Sequence, residues 1–184
     1  PTTVEELLGQ AHLLTPGSPL ARLLDSQSTS VPSVILWGPP GTGKTTLAYL
    51  IARESGSRFA EVSAVIAGVK EVREVIASAK HALMASGEET VLFIDEVHRF
   101  SKSQQDALLP AVENQWITLV AATTENPSFS VISPLLSRSL LLVLHPLDDE
   151  AIRETLQRAL KSESGLKATV ELDEGSLGVL TRIA

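Results

Sequence analysis

The chain has 184 residues, no cysteine, and a net charge of −7 from 15 basic and 22 acidic side chains. Without cysteine there is neither a disulfide framework nor a Cys-based metal site. The acidic balance argues against a general nucleic-acid binder, because affinity for phosphates comes mainly from Lys and Arg.

The expected elements alternate between strand and helix. Residues Ser18 to Asp25 place Leu20, Leu23 and Leu24 on one face of a short helix, and Ser26 to Ser30 form a polar loop. Val31 to Trp37 is an apolar run that reads as a buried strand, followed by a Gly/Pro turn and a helix from Lys44 to Glu54. Phe59 to Val62 predicts a strand, Gly68 to Ser86 a helix, and Val91 to Ile94 a second uninterrupted apolar strand. Further on come a helix over Ser103 to Asn114, a strand over Ile117 to Ala122, a short helix over Val131 to Ser137 and a fifth strand over Leu140 to Leu144. His145-Pro146-Leu147-Asp148 reads as a boundary. After it, only helices are expected, at Asp149 to Lys161 and at Glu174 to Ala184, the second capped by Asp173. Strands that are apolar throughout, alternating with helices, predict a parallel sheet covered on both faces. The expected fold is a three-layer α/β/α core over 1–145, followed by part of a helical domain over 146–184.

No apolar run approaches the roughly 20 residues that cross a bilayer. The acidic opening Pro1 to Glu6 has no apolar signal core, so no membrane is expected. The chain opens on Pro1 and closes on Thr181-Arg182-Ile183-Ala184 inside an apolar helical pattern, as a piece of a longer protein would.

Gly38-Pro39-Pro40-Gly41-Thr42-Gly43-Lys44-Thr45 fits G-x-x-x-x-G-K-[ST], with a strand before it and a helix after it. In such a loop the glycines let successive N–H groups converge on a phosphate at a helix N-terminus. Lys44 is then placed for the β- and γ-phosphates and Thr45 for Mg²⁺. Val91-Leu92-Phe93-Ile94-Asp95-Glu96 sets two carboxylates at the C-terminal end of a buried strand, where ligands bind in open α/β sheets. Asp95 suits the metal and Glu96 the attacking water. The strand Ile117 to Ala122 runs into Thr123-Thr124-Glu125-Asn126-Pro127, so Thr124 or Asn126 is a candidate sensor of the γ-phosphate. Composition alone does little for Arg138, since most arginines are solvated. The four histidines show no metal-ligand spacing, and His98 reads as a packing residue or as a contact to DNA or to a neighbour.

The order of these elements resembles the AAA+ family in its clamp-loader-like branch. Gly38 to Thr46, Phe93 to Phe100 and Leu135-Leu136-Ser137-Arg138 carry that resemblance. Gly9 to Leu14, Ser63 to Arg73 and Ala122 to Phe129 are similar, more narrowly, to the replication-associated recombination protein A group. The resemblance implies ATP and Mg²⁺ as ligands. It also implies an arginine finger at Arg138, the first sensor at Thr124, and an adenine-bordering segment through Leu8, Gly9, Gln10 and His12. It implies a homo-oligomer in the bacterial cytoplasm or nucleoid, with DNA forks, gaps or junctions and replication proteins as partners. The expected function is a DNA-dependent ATPase of fork maintenance, recombination and repair. Two alternatives stay open: a nucleotide-gated DNA-binding scaffold, and another clamp-loader or Holliday-junction motor subunit of the same superfamily.

Overall fold

The computed structural model describes residues 3, 6–24, 32–161, 165 and 172–183. Five strands form one parallel sheet: β1 (Ser33–Trp37), β2 (Arg58–Ser63), β3 (Thr90–Asp95), β4 (Thr118–Thr123) and β5 (Ser139–Val143). Their order is β2-β3-β4-β1-β5. In β1, Val34 and Leu36 face one core and Ile35 the other. Val91 and Phe93 oppose Leu92 and Ile94 in β3, and Val120 and Ala122 oppose Leu119 and Ala121 in β4. Successive side chains of a strand point to opposite faces, so a strand covered on both sides must be apolar at every position. That is why β1, β3 and β4 read as continuous apolar runs.

The helices are α1 (Pro19–Leu24), α2 (Lys44–Glu54), α3 (Val69–Ser86), α4 (Lys102–Asp106), α5 (Leu109–Glu113), α6 (Pro127–Ser130), α7 (Ser133–Leu136), α8 (Asp149–Lys161) and α9 (Glu174–Ile183). Leu20, Leu47 and Ile51 bring α1 and α2 onto one face of the sheet, whereas Val72, Ile76, Leu108 and Ala111 bring α3 and the α4–α5 segment onto the other. This is the expected three-layer α/β/α architecture. Among the described residues no helix is long and apolar enough to cross a membrane.

Two expectations are corrected. The helix expected over Ser103 to Asn114 is two helices, α4 and α5, broken at Ala107 and Leu108. Pro110 has no N–H, and its ring crowds the carbonyl four residues back, so one continuous helix is blocked there. Residues 127–130 are helical as α6, because the Asn126 side chain accepts the Ser128 N–H at 3.0 Å and Pro127 occupies the first turn. Of the helix expected over Val131 to Ser137, only Ser133–Leu136 forms, with extended backbone at Val131 and Ile132. The expected Asp173 cap is present: its carboxylate accepts the Ser176 N–H at 2.6 Å, which holds the carboxyl below its ordinary range. The polar loop Ser26 to Ser30 lies outside the described residues.

Candidate nucleotide site

The loop between β1 and α2 is shaped by backbone constraints that only glycine meets. Gly43 is the N-cap of α2 at φ +89°, a left-handed conformation. A Cβ at Gly38 would stand 2.5 Å from the Leu144 carbonyl oxygen, so a glycine there lets the loop leave β1 against the end of β5. A Cβ at Gly41 would meet nothing within 4 Å, so the loop's outer face is open to a ligand.

The Lys44 ammonium bridges this loop, donating to the carbonyls of Gly38 at 2.9 Å and Pro39 at 2.7 Å. The residue is 8% exposed, and burial lowers its pKa from the ordinary lysine value. Glu96 and Asp95 pull it back up, so both carboxylates act electrostatically on Lys44. Thr42 is buried and donates to Pro39 O at 3.0 Å. Thr45 stands exposed in the first turn of α2. A buried cation, an open glycine loop, a hydroxyl and two carboxylates form a donor set that fits a nucleotide phosphate with Mg²⁺. Thr45 and Asp95 are the groups that suit the metal. Among the described residues no cluster of three or more His, Cys, Asp or Glu side chains forms a separate metal site.

Asp95 ends β3 and accepts the Glu96 N–H at 3.0 Å. Glu96 itself has φ +54°, rare for a residue with a side chain, and this turn swings its carboxylate off the strand axis. Glu96 Oε2 then accepts from the Thr124 hydroxyl at 3.4 Å and lies 3.0 Å from His98 Nδ1. Thr124 therefore joins the site. The Asn126 side-chain oxygen is taken up by its helix cap instead.

A cleft of about 720 Å³ opens beside the loop. Gly41, Thr42, Gly43 and Thr46 line one wall, and Leu7, Leu8 and Leu147 supply apolar surface. Thr155 and Arg158 close it from α8. Gln10 and His12 do not line it. Gln10 is fully buried and donates to Thr42 O at 3.3 Å and His145 O at 2.8 Å while accepting the His145 N–H at 3.1 Å. His12 stacks on His145 with ring centroids 4.1 Å apart and lies 2.9 Å from Val143 O. Both fix the path of the segment whose leucines reach the cleft.

Arg138 immediately precedes β5, at the N-terminal edge of the parallel sheet, whereas the loop Gly38 to Thr45 leaves its C-terminal edge. Five residues of strand, at about 3.3 Å each, separate the two edges. The guanidinium is half-exposed and pairs with Glu113 at 2.9 Å. It belongs to a different face of the molecule from Lys44 and Glu96.

His98 is the residue that the sequence reading left out of the site. Its signal was its place two residues after Glu96, but the 3₁₀ turn Val97–Arg99 that folds it back has no periodicity to read.

Over its whole length the chain is 57% identical to an uncharacterized AAA domain-containing protein of Mycobacterium tuberculosis, of which it spans 40%. It is 48% identical over 176 residues to replication-associated recombination protein A of Coxiella burnetii, covering 95% of this chain and 39% of that protein. The fold matches a Thermotoga maritima RuvB Holliday junction branch migration motor with a TM-score of 0.77 at 29% identity, over 98% of this chain and 58% of that one. The chain thus spans about two-fifths of the length of each of these two curated relatives. Residues 34–146 match the ATPase family associated with various cellular activities, and the chain belongs to that family.

Proposed function

We propose that this chain is the ATP-hydrolysing part of a DNA-dependent ATPase that acts in replication-fork maintenance, recombination and repair. The observation that carries the hydrolytic half is Glu96: its carboxylate is turned off the end of β3, bonded to Thr124, and close enough to Lys44 to act on its charge. A module that only bound nucleotide would not require a carboxylate held there. Lys44 binds the β- and γ-phosphates of ATP, and Thr45 and Asp95 hold Mg²⁺. Glu96 orients the attacking water and takes its proton, while Thr124 senses the γ-phosphate beside it. Mg²⁺, when bound, neutralises phosphate charge. The gap between Leu8 and the α8 wall receives the base, and residues 146–184 begin a helical lid over it.

Arg138 faces away from its own chain's phosphate loop, which favours a finger that completes the site of a neighbouring copy in a homo-oligomer. The DNA-directed half rests on the likeness to a protein named for replication-associated recombination and to a branch migration motor. Its net charge of −7 restricts DNA contact to local surfaces.

The test is ATP turnover by the full-length protein with and without forked or gapped DNA. We expect DNA to raise turnover, and Lys44→Ala and Arg138→Ala to abolish it. Nucleotide binding with no turnover and no response to DNA would instead identify a nucleotide-gated scaffold.

A further inference from the structure

We propose that His98 is a positioning residue for the Glu96 carboxylate, and that it ties Glu96 to the turn after β4. This rests on the reading of Glu96 as the group that activates water. The imidazole is 11% exposed, and its Nδ1 lies 3.0 Å from Glu96 Oε2 and 3.1 Å from Thr123 Oγ1. Nδ1 therefore carries a proton, because a bare nitrogen lone pair would face a carboxylate oxygen at contact distance. The Thr123 hydroxyl agrees with that tautomer. It donates to Glu125 O at 3.2 Å and accepts the Glu125 N–H at 3.0 Å, so toward His98 it can only accept. One N–H is thus shared between the carboxylate on the β3 side and the hydroxyl that ends β4. Nε2, on the far side of the ring, lies 3.9 Å from Glu125 Oε1, beyond hydrogen-bond reach.

Glu96 needs such support. Its side chain is 30% exposed and its backbone is in a left-handed turn, so nothing in β3 itself holds the carboxylate. Its two side-chain partners are His98 and, at a longer 3.4 Å, Thr124. The Thr124 hydroxyl is also the group proposed to sense phosphate, and both partners bond the same oxygen, Oε2. That leaves Oε1 as the oxygen available to a water. His98 selects which carboxylate oxygen does the work, and its contact with Thr123 links it to the strand that leads to the sensor.

The test compares steady-state turnover and nucleotide affinity of the full-length protein in wild type, His98→Ala, His98→Asn, His98→Gln, Glu96→Gln and the His98→Ala/Glu96→Gln pair. A fluorescent ATP analogue reads affinity and also reports that each variant folds. His98→Ala should lower kcat about ten- to a hundred-fold, as loss of a hydrogen bond to a charged group does, with KM and affinity unchanged. His98→Asn places an amide N–H near the Nδ1 position and should restore most of the rate. His98→Gln, which reaches toward the Nε2 position, should not. In the Glu96→Gln background His98→Ala should add no further loss. The proposal is overturned by wild-type kcat in His98→Ala, by equal rates in the Asn and Gln variants, or by an undiminished additional loss in the pair. Undiminished turnover in Glu96→Gln would remove the water-activating role itself, and the proposal with it.

Discussion

As proposed, Lys44 serves binding and Glu96 serves chemistry. The ammonium is held across the loop by two carbonyls, so it is preorganised to meet phosphate charge rather than being recruited from solvent. Lys44→Ala should weaken ATP affinity about ten- to a hundred-fold, the size of a lost charge-assisted contact. Equilibrium titration checks this. Glu96→Gln keeps the side chain's shape but removes its basicity. It should leave affinity close to wild type and cut turnover about 10²-fold or more. If both variants lost affinity equally, the two roles would not be separable. The left-handed Glu96 also separates the two carboxylates in space, as their two proposed roles require. Asp95 keeps its strand direction and bonds the next N–H, and one residue later the chain has turned.

At the scale of elements, the Gly38–Thr45 loop is braced from outside its own strand–loop–helix unit. Gln10 joins the segment before α1 to the loop through Thr42 O and to the end of β5 through both backbone groups of His145. Removing a buried side chain that satisfies three backbone groups leaves them unmet, at a cost of about 2–4 kcal/mol. Gln10→Leu should therefore lower the thermal midpoint by several degrees and also weaken ATP binding, since Thr42 loses its anchor. Thermal melts and the same nucleotide titration measure both. A Gln10 that acted on the base alone would change affinity without changing the melt. Gln105 does a parallel job on the other face: it is buried, donates to Phe100 O and Ser130 O, and accepts the Ile132 N–H. It pins α4, and Phe100 just after the turn that carries His98, to the α6–α7 connection.

Across the whole molecule, the sheet separates two functional ends. The C-terminal edge holds the loop, Asp95, Glu96 and Thr124, and the N-terminal edge presents Arg138 paired with Glu113 beside a cavity of about 540 Å³ that includes Trp116 and Gln115. A finger that acts in another copy predicts complementation. Lys44→Ala and Arg138→Ala proteins, each inactive alone, should recover partial turnover when mixed, because a Lys44→Ala copy can lend its Arg138 to an intact site next door. Turnover measured against mixing ratio should peak at intermediate ratios. A flat line at zero would place Arg138 outside the chemistry of the neighbour.

The strand–glycine loop–helix unit, the acidic strand end and the three-layer fold were legible from residue order, because each depends on local chemistry. Glycine spacing sets a turn, a carboxylate ends an apolar run, and strands apolar at every position need cover on both faces. The Pro110 break was equally local, and was missed because apolar spacing over Leu108, Leu109 and Val112 reads as helix whether or not the backbone can donate. Other features depended on contacts between distant segments. Gln10 turned from the cleft into the core because His145 and Thr42, 135 and 32 residues away, offered unmet backbone groups. Thr124 rather than Asn126 reached Glu96 because Asn126 had a nearer partner in its own helix. His98 met Thr123 across 25 residues because parallel pairing sets the ends of β3 and β4 side by side. Sequence determined the residue types and the strand ends on which the chemistry stands. Which side chains share a hydrogen bond there was decided only by tertiary structure, because hydrogen bonds are satisfied by proximity in space and sequence spacing does not encode it.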